Sequence, residues 1–584
     1  MTELAARETA RVDPAAYERY QAAGEDIPRR TLAWNVYGKD IEGVGRDGRP
    51  ELVDVPEPRA DQLLIRVDAV GLCFSDVKLI RLGGEHPKLY GRDLTKEPTR
   101  IGHETSVTVM RVGADLRDRF HPGQRLAIQP DIYVNGRSTA YGYTIPGGLI
   151  GYHVIGPEVL AADDGAYVIP VDQRMGYAET ALTEPWACVE AAYTQRRRLW
   201  PLGGGRAWII GRPDDRQPYA FGDVLGATAR IVLSDAGPGL ERAVRDAAPQ
   251  ATVEVASLAD AEGPFDDVIA LGIRSAATLE RAADALAFRG AMVIVGDEPI
   301  DGPVEIDVGR IHYHYTAYLG TSGTDVTAAY GEVRNRAEIR RGGVTVVVGA
   351  AGPMGQMHVE RALRMVDGPR LVVGVDLDGD RLEEARAKLE PIAKELGREL
   401  QLQVLGSEPE ALSTLVAGVS GGRGADDIIV TAPAAAAVRA ASGALAPDGM
   451  LVLFAGVPVG TRVALDMTPV FLGAVQYTGT SGSRIADQAL VVEKTVAGGL
   501  SPGNALGAVG GMEAAQESLR ALVEGRFAGK IVIFPHLSDL PLTSLADLGA
   551  HEPEIGAALG PGGTWTTDAE AALFAHHLRP MDGP

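Results

Sequence analysis

From residue 31 to about 200 the apolar positions fall in short runs: LLIRVDAVGLC (63–73), TSVTVMRVG (105–113) and QRLAIQPDIYV (124–134). Gly and Pro punctuate them, a pattern that predicts a β-rich segment. From about 205 the period changes. Strand-like runs alternate with Ala-rich helical stretches, which predicts βαβ units and a parallel sheet to about residue 500. GLSPGNALGAVGGMEAAQESLRALVEGRFAGKIVIFP (499–535) then adds a helix and one more strand. The expected partition is an arm at 1–30, a β-rich domain at 31–200, α/β units at 201–342 and 343–500, a return segment at 501–535 and a surface tail at 536–584.

The two α/β units echo each other. FDDVIALG…AFRGAMVIVGDEP (265–299) runs parallel to ADDIIVTA…APDGMLVLFAGVP (425–458), and LGTSGT (319–324) returns 159 positions later as TGTSGS (478–483). Both copies read as strand, helix, Gly, strand and turn. They differ where a nucleotide would bind. VTVVVGAAGPMGQMHVERALRMV (344–366) is a buried strand, a glycine turn and a helix start, with Gly349, Gly352 and Gly355 spaced GxxGxxG. A side chain there would keep the backbone from a pyrophosphate at the helix N-terminus. The next strand, RLVVGVD, ends in Asp376, where a carboxylate accepts hydrogen bonds from the adenosine ribose and repels a 2′-phosphate. NAD is therefore expected over NADP, with the nearby Arg381 the one residue pulling the other way. In the first copy RAWIIGR (206–212) is followed by PDDRQPYAFGD, and Pro213, Asp214 and Asp215 oppose a pyrophosphate. Asp235 keeps the acidic strand end. With its strands and Ala-rich helices complete, this copy is expected to fold as a Rossmann-like unit that binds no dinucleotide.

The 584 residues, 45% apolar and 23% charged, suit a globular protein of several domains. A formal charge of −22 disfavours nucleic acid and anionic membrane as partners. No apolar run reaches the ~18 residues of a membrane span. The N-terminal stretch lacks a signal-peptide core, so a cytoplasmic enzyme is expected. Only two cysteines occur, Cys73 and Cys188, which excludes a disulfide framework and a four-cysteine zinc lobe.

Cys73 lies in VGLCFSDVKLI beside Ser75 and Asp76; RIGHETS contributes His103 and Glu104, and ALTEPWACVEAAY contributes Glu184. A thiolate, an imidazole and a carboxylate with an open fourth position form a catalytic zinc set. Cys188, one helical turn after Glu184, reads as a core thiol. The insert RLGGEHPKLYGRDLTKEPTR (81–100) carries Arg81, Lys88, Arg92, Lys96 and Arg100 and reads as a solvated loop or an oligomer contact, with a grip on a substrate phosphate or carboxylate as the alternative. His312 and His314 read as packing or domain-contact residues, and Phe74, Trp186 and Tyr193 as aromatic neighbours of the zinc ligands.

Taken together and in this order, these motifs resemble the medium-chain dehydrogenase/reductase superfamily. GQRLAIQPDIYVNG, AYGYTIPGG and ALTEPWACV are most similar to its L-sorbose-1-phosphate reductase and polyol dehydrogenase branch. The resemblance implies a GroES-like catalytic domain and a Rossmann NAD domain. It further implies zinc on Cys73, His103 and either Glu104 or Glu184, Ser75 as proton relay and Asp76 orienting His103. Cofactor contacts are implied for Pro353 and Met354 in the turn, and for Val457, Thr480 and Ser481 toward the nicotinamide end. The expected activity is hydride transfer between a secondary alcohol (a polyol, sugar, sugar phosphate or cyclitol) and NAD, by a homodimer or homotetramer. Two other readings stand beside it: an NAD-retaining isomerase or epimerase, and a non-catalytic scaffold.

Overall fold

The computed structural model describes residues 12–24, 26–406, 408 and 410–579. The first eleven residues of the expected arm lie outside that range. The chain divides into two compact units, one formed by residues 1–190, 383–391 and 482–584, the other by 191–382 and 392–481.

The first unit is built on an eight-stranded sheet. Its central strand, Leu63–Leu72, is buried along its whole length. That strand pairs antiparallel with Glu104–Val112, with Tyr152–Ile155 and with Lys530–Phe534. Leu506–Gly511 runs parallel to Lys530–Phe534, so the segment after 500 adds two strands to this sheet where its pattern predicts one. Arg66 and Asp68 sit on the central strand as a fully buried pair 2.8 Å apart. Thr108 donates to the second Asp68 oxygen at 2.7 Å, which satisfies a group whose isolated burial would be costly. The helix Ile485–Val496 belongs to this unit: Val492 packs with Ile169 and Met175.

The tail departs from the expected surface wrap. Residues 545–577 form three helices, and Leu573, Phe574 and Trp565 are buried with Tyr17, Tyr20 and Phe534 in one cluster. Glu570 accepts from Tyr177 N at 2.6 Å, Ala178 N at 2.9 Å and Tyr17 Oη at 2.9 Å, tying the tail to the helices at 16–21 and 177–181. The apolar positions of the tail are spread among Gly, Pro and acidic residues, which hides them from a window count.

The second unit holds a twelve-stranded sheet with two halves. One runs Thr252–Val255, Arg230–Ser234, Arg206–Ile210, Phe265–Leu271, Leu286–Val295, Ala317–Thr321, all parallel. The other runs Glu399–Val404, Leu371–Asp376, Val344–Val348, Ala425–Val430, Leu445–Leu453, Gln476–Gly479, again parallel. The halves meet antiparallel at Tyr318 and Tyr477. Trp208, Phe265, Tyr318, Val346, Ile428 and Tyr477 share one apolar core that crosses the junction. The halves differ in two helices: Ala411–Ser420, between the strands at 399–404 and 425–430, has no counterpart between those at 252–255 and 265–271, and the second difference lies at the turn after each half's first strand. After Val344–Val348 comes the twelve-residue helix Pro353–Arg364. After Arg206–Ile210 no helix forms before the strand at 230. Pro213 and Pro218 remove backbone donors, and the Asp215 carboxylate takes Gln217 N at 2.9 Å and Tyr219 Oη at 2.7 Å, closing a local turn instead. The expectation of a complete helix set in the first copy therefore fails at this position. Among the described residues no helix is long and apolar enough to cross a membrane.

Candidate functional site

Two strand ends and one helix start build a polar centre in the first unit. The strand Leu63–Leu72 delivers Cys73 to the N-cap of the helix Phe74–Leu82. Asp76, in the first turn, accepts from Cys73 N at 2.9 Å through Oδ2. Its other oxygen lies 3.0 Å from His103 Nδ1 and accepts from Gly102 N at 3.2 Å. Burial opposes both charges, but their mutual attraction holds Asp76 below the usual carboxylate range and His103 well above the usual imidazole range. The bond at Nδ1 leaves Nε2 as the free face of the ring, and Ser75 Oγ stands 3.2 Å from it. Asp76 thus holds the His103 ring through Nδ1, and Ser75 stands beside Nε2.

Glu104 starts the neighbouring strand and pairs with Gly71 across the sheet. The glycine is required there: a Cβ at 71 would stand 2.1 Å from Glu104 Oε2. Glu104 Oε1 pairs with Lys530 Nζ at 2.5 Å, both side chains being almost wholly buried. Burial opposes the lysine charge, and the Glu104 carboxylate more than offsets this, so the Lys530 pKa is raised. Glu104 Oε2 is buried and has no hydrogen-bond partner. The ligand atoms of Cys73, His103 and Glu104 all lie within 4.8 Å of one another. A soft thiolate, an imidazole and an unpaired carboxylate oxygen suit a zinc ion.

Glu184 stands outside this group. It accepts from the Cys188 thiol at 3.7 Å. Burial pushes its carboxyl up to about 7, against the pull of His103 and with the push of Glu104 and Asp131. Cys188 is itself raised, first by burial and then by Glu184, so it is a proton donor and not a thiolate. Of the aromatic neighbours expected here, Trp186 is fully buried and Phe74 is 54% exposed. Tyr193 instead belongs to the second unit, where it shares a 2.7 Å hydrogen bond with His358. The residue found in its stead is Tyr143, whose ring centroid lies 5.7 Å from that of His103. In the insert, Lys88 is engaged with Asp131 at 2.9 Å and stands over the Tyr143 ring, so this part of the loop is not simply solvated. Gly71 and Lys530 were open to detection in the sequence, as a glycine near the end of one strand run and a lysine at the head of another.

In the second unit the turn after Val344–Val348 has three glycines with three duties. Gly349 has φ +89°, a left-handed backbone, and a Cβ there would meet Thr431 Oγ1 at 2.7 Å. A Cβ at Gly355 would stand 2.1 Å from Gly349 O, so this glycine lets the helix close on the turn. At Gly352 the nearest atom to an added Cβ is 3.6 Å away. Nothing within the protein demands glycine there, which is what a seat kept clear for a pyrophosphate requires. Pro353 and Met354 open the helix. Asp376 ends its strand and braces the turn, taking Ala351 N at 2.9 Å on Oδ2 and Leu377 N at 2.8 Å on Oδ1. Arg381 Nε and Thr480 Oγ1 are buried without partners, and Val457 is buried. Ser481 offers its carbonyl to Tyr315 Oη at 2.8 Å. His312 packs inward, its Nδ1 3.1 Å from Leu453 O, as its packing role requires.

With this geometry in place the comparisons are specific. The alcohol dehydrogenase GroES-like domain matches residues 59–190. L-sorbose 1-phosphate reductase of Klebsiella pneumoniae is 25% identical over 94% of this chain and 98% of its own length. Mannitol-1-phosphate 5-dehydrogenase of Aliivibrio fischeri is 24% identical over 89% and 93%. The crystal structure of AibC matches in fold at a TM-score of 0.50 and 15% identity, over 87% of this chain and 97% of that one. Residues 59–190 are thus an alcohol dehydrogenase GroES-like domain, and nearly the whole chain is similar to sugar-phosphate dehydrogenases and reductases.

Proposed function

We propose that this chain is an NAD-linked dehydrogenase that interconverts a secondary alcohol and a ketone on a polyol, sugar, sugar phosphate or cyclitol. The observation that carries the proposal is the convergence of Cys73, His103 and Glu104, with Glu104 Oε2 buried and unpaired. Cys73 Sγ, His103 Nε2 and Glu104 Oε2 would hold zinc. Bound to these residues and to the glycine turn, zinc supplies Lewis acidity toward an alcohol oxygen and NAD supplies the hydride acceptor.

The chain's own residues do the rest. Asp76 fixes the His103 ring and its tautomer through Nδ1. Ser75 Oγ takes the hydroxyl proton and passes it on, its position beside His103 Nε2 placing it next to the reacting group. Gly352 and the helix start at Pro353 receive the pyrophosphate. Asp376 meets the adenosine ribose, which supports NAD as the preferred cofactor. The names of full-length relatives support a sugar-phosphate or polyol substrate.

The test is metal content with turnover. One zinc per chain is expected, and Cys73→Ser or His103→Ala should lose both zinc and NAD-dependent oxidation of polyols while keeping the far-UV spectrum. Full activity in metal-stripped protein would overturn the proposal.

A further inference from the structure

The two halves of the twelve-stranded sheet share their anchoring bonds as well as their strand order. Arg198 donates to Asp267 Oδ1 at 2.6 Å and to Asp266 O; Leu202 N donates to Asp267 Oδ2 at 3.0 Å and Arg206 N to Asp266 Oδ2 at 2.8 Å. In the other half Arg336 donates to Asp427 Oδ1 at 2.5 Å and to Asp426 O at 2.8 Å. Arg340 N donates to Asp427 Oδ2 at 2.7 Å and Val344 N to Asp426 Oδ2 at 2.8 Å. The register slips at the same place in both, between Phe265 and Asp267 and between Ala425 and Asp427.

The way the halves meet is more telling. Tyr318 pairs antiparallel with Tyr477, 159 positions on. A second antiparallel ribbon, Val304–Asp307 with Arg462–Leu465, puts Glu305 opposite Ala464, again 159 positions on. That is also the offset of LGTSGT and TGTSGS. Each junction is therefore centred on a residue facing its own counterpart. Val304 opposite Leu465 and Ile306 opposite Val463 are the same pairing exchanged. Residues that face their own equivalents across antiparallel strands mark an isologous two-fold contact between identical units.

We infer that residues 196–333 are an internal second copy of the unit that follows them, and that they occupy the seat of a separate subunit against the edge strand Gln476–Gly479. The contact that two chains would make about a two-fold axis is made here within one chain. Only one of its halves keeps the helix start and open glycine of a dinucleotide site. With this edge filled in cis, a homodimer or homotetramer of the chain must form through other surfaces.

The ribbon offers a direct test on the full chain. Glu305 N donates to Glu280 Oε1 at 3.0 Å and Glu305 O accepts from Arg462 Nη2 at 2.8 Å, so Glu305 and Ala464 form a non-hydrogen-bonded pair. In such pairs the Cα atoms approach to about 4.5 Å, within the range a disulfide spans. Glu305→Cys with Ala464→Cys, oxidised mildly, should form a bridge and migrate at the mass of one chain. A band of two chains, or no bridge at all, would overturn the inference. Unmodified protein supplies an independent reading, because these two strands pair with no other. Amide-exchange protection of 304–307 and 462–465 should hold over hundredfold dilution. Protection that falls on dilution would place the contact between chains and overturn the inference equally.

Discussion

Lys530 reaches across one strand to Glu104 and holds one oxygen of its carboxylate at 2.5 Å, leaving the other free. The pair sits where water cannot compensate either charge, so its members depend on each other. Lys530→Met should leave Glu104 charged and unpaired. A loss on the order of 3–5 kcal/mol in unfolding free energy is expected, with weaker zinc retention. Urea denaturation with and without added zinc reads both, and an unchanged midpoint would show that the pair has little structural weight.

Asp76 should matter for metal affinity more than for folding. Asp76→Asn keeps the hydrogen bond from Cys73 N but loses the charge facing His103 Nδ1. Losing such an outer partner costs about 10–100-fold in metal affinity. Competition with a chelating dye measures it, and a wild-type zinc constant would mean that backbone packing alone orients the ring.

The glycine turn separates packing from binding. Gly355→Ala drives a Cβ to 2.1 Å from Gly349 O and should destabilise the fold. Gly352→Ala meets nothing closer than 3.6 Å and should leave the melting temperature within a degree or two while NAD affinity falls at least tenfold. Calorimetry beside a thermal melt separates the two, and equal NAD affinity in Gly352→Ala would remove this turn from the cofactor site.

Asp376→Ala should weaken NAD and narrow the gap to NADP, because the carboxylate both receives the ribose and repels a phosphate. Asp235→Ala, at the matching strand end of the first half, should leave the titration unchanged at one NAD per chain. A wild-type enzyme that prefers NADP, with Arg381 taking the phosphate, would reverse the assignment.

A pH dependence follows from Glu179. Burial, with Glu570 adding, raises its pKa to about 7. The folded state therefore binds a proton that the unfolded state has already released between roughly pH 4.5 and 7. Stability falls as pH rises through that window and stays lower above it. Glu179→Gln should remove the penalty, gaining on the order of 2 kcal/mol at pH 8 and nothing at pH 4. Denaturation midpoints at the two values decide it; equal gains would point to packing and not to charge.

How far the sequence could be read depended on whether a signal was local. The glycine turn, Asp376 and the Cys73, His103 and Glu104 motifs lie in contiguous stretches, and their strand and helix contexts are visible residue by residue. That Glu104 groups with Cys73 and His103 while Glu184 does not was not open to such a reading. It depends on Gly71 lying opposite one carboxylate across the sheet, and on Cys188 engaging the other. The tail was misjudged for the same reason. Trp565, Leu573 and Phe574 find their partners at Tyr17, Tyr20 and Tyr177, hundreds of positions away. The missing helix after Ile210 was half visible, since Pro213 and the paired aspartates announce a poor phosphate site, whereas the Asp215 turn that replaces the helix needs Tyr219 in place.

The eight-stranded sheet also sets a timetable for the chain's synthesis. Its central strand, Leu63–Leu72, leaves the ribosome early, yet its neighbour Lys530–Phe534 is among the last segments made. Until then one side of a strand destined to be buried along its whole length waits without its partner. The intervening stretch, 191–382 with 392–481, holds every strand of its own sheet and is able to close first. The nascent protein thus carries a finished nucleotide-binding body while its metal centre, still without Lys530, is incomplete. In the cell, chaperone demand should concentrate on that interval, and ribosome-bound chains halted before residue 530 should bind dinucleotide before they hold zinc.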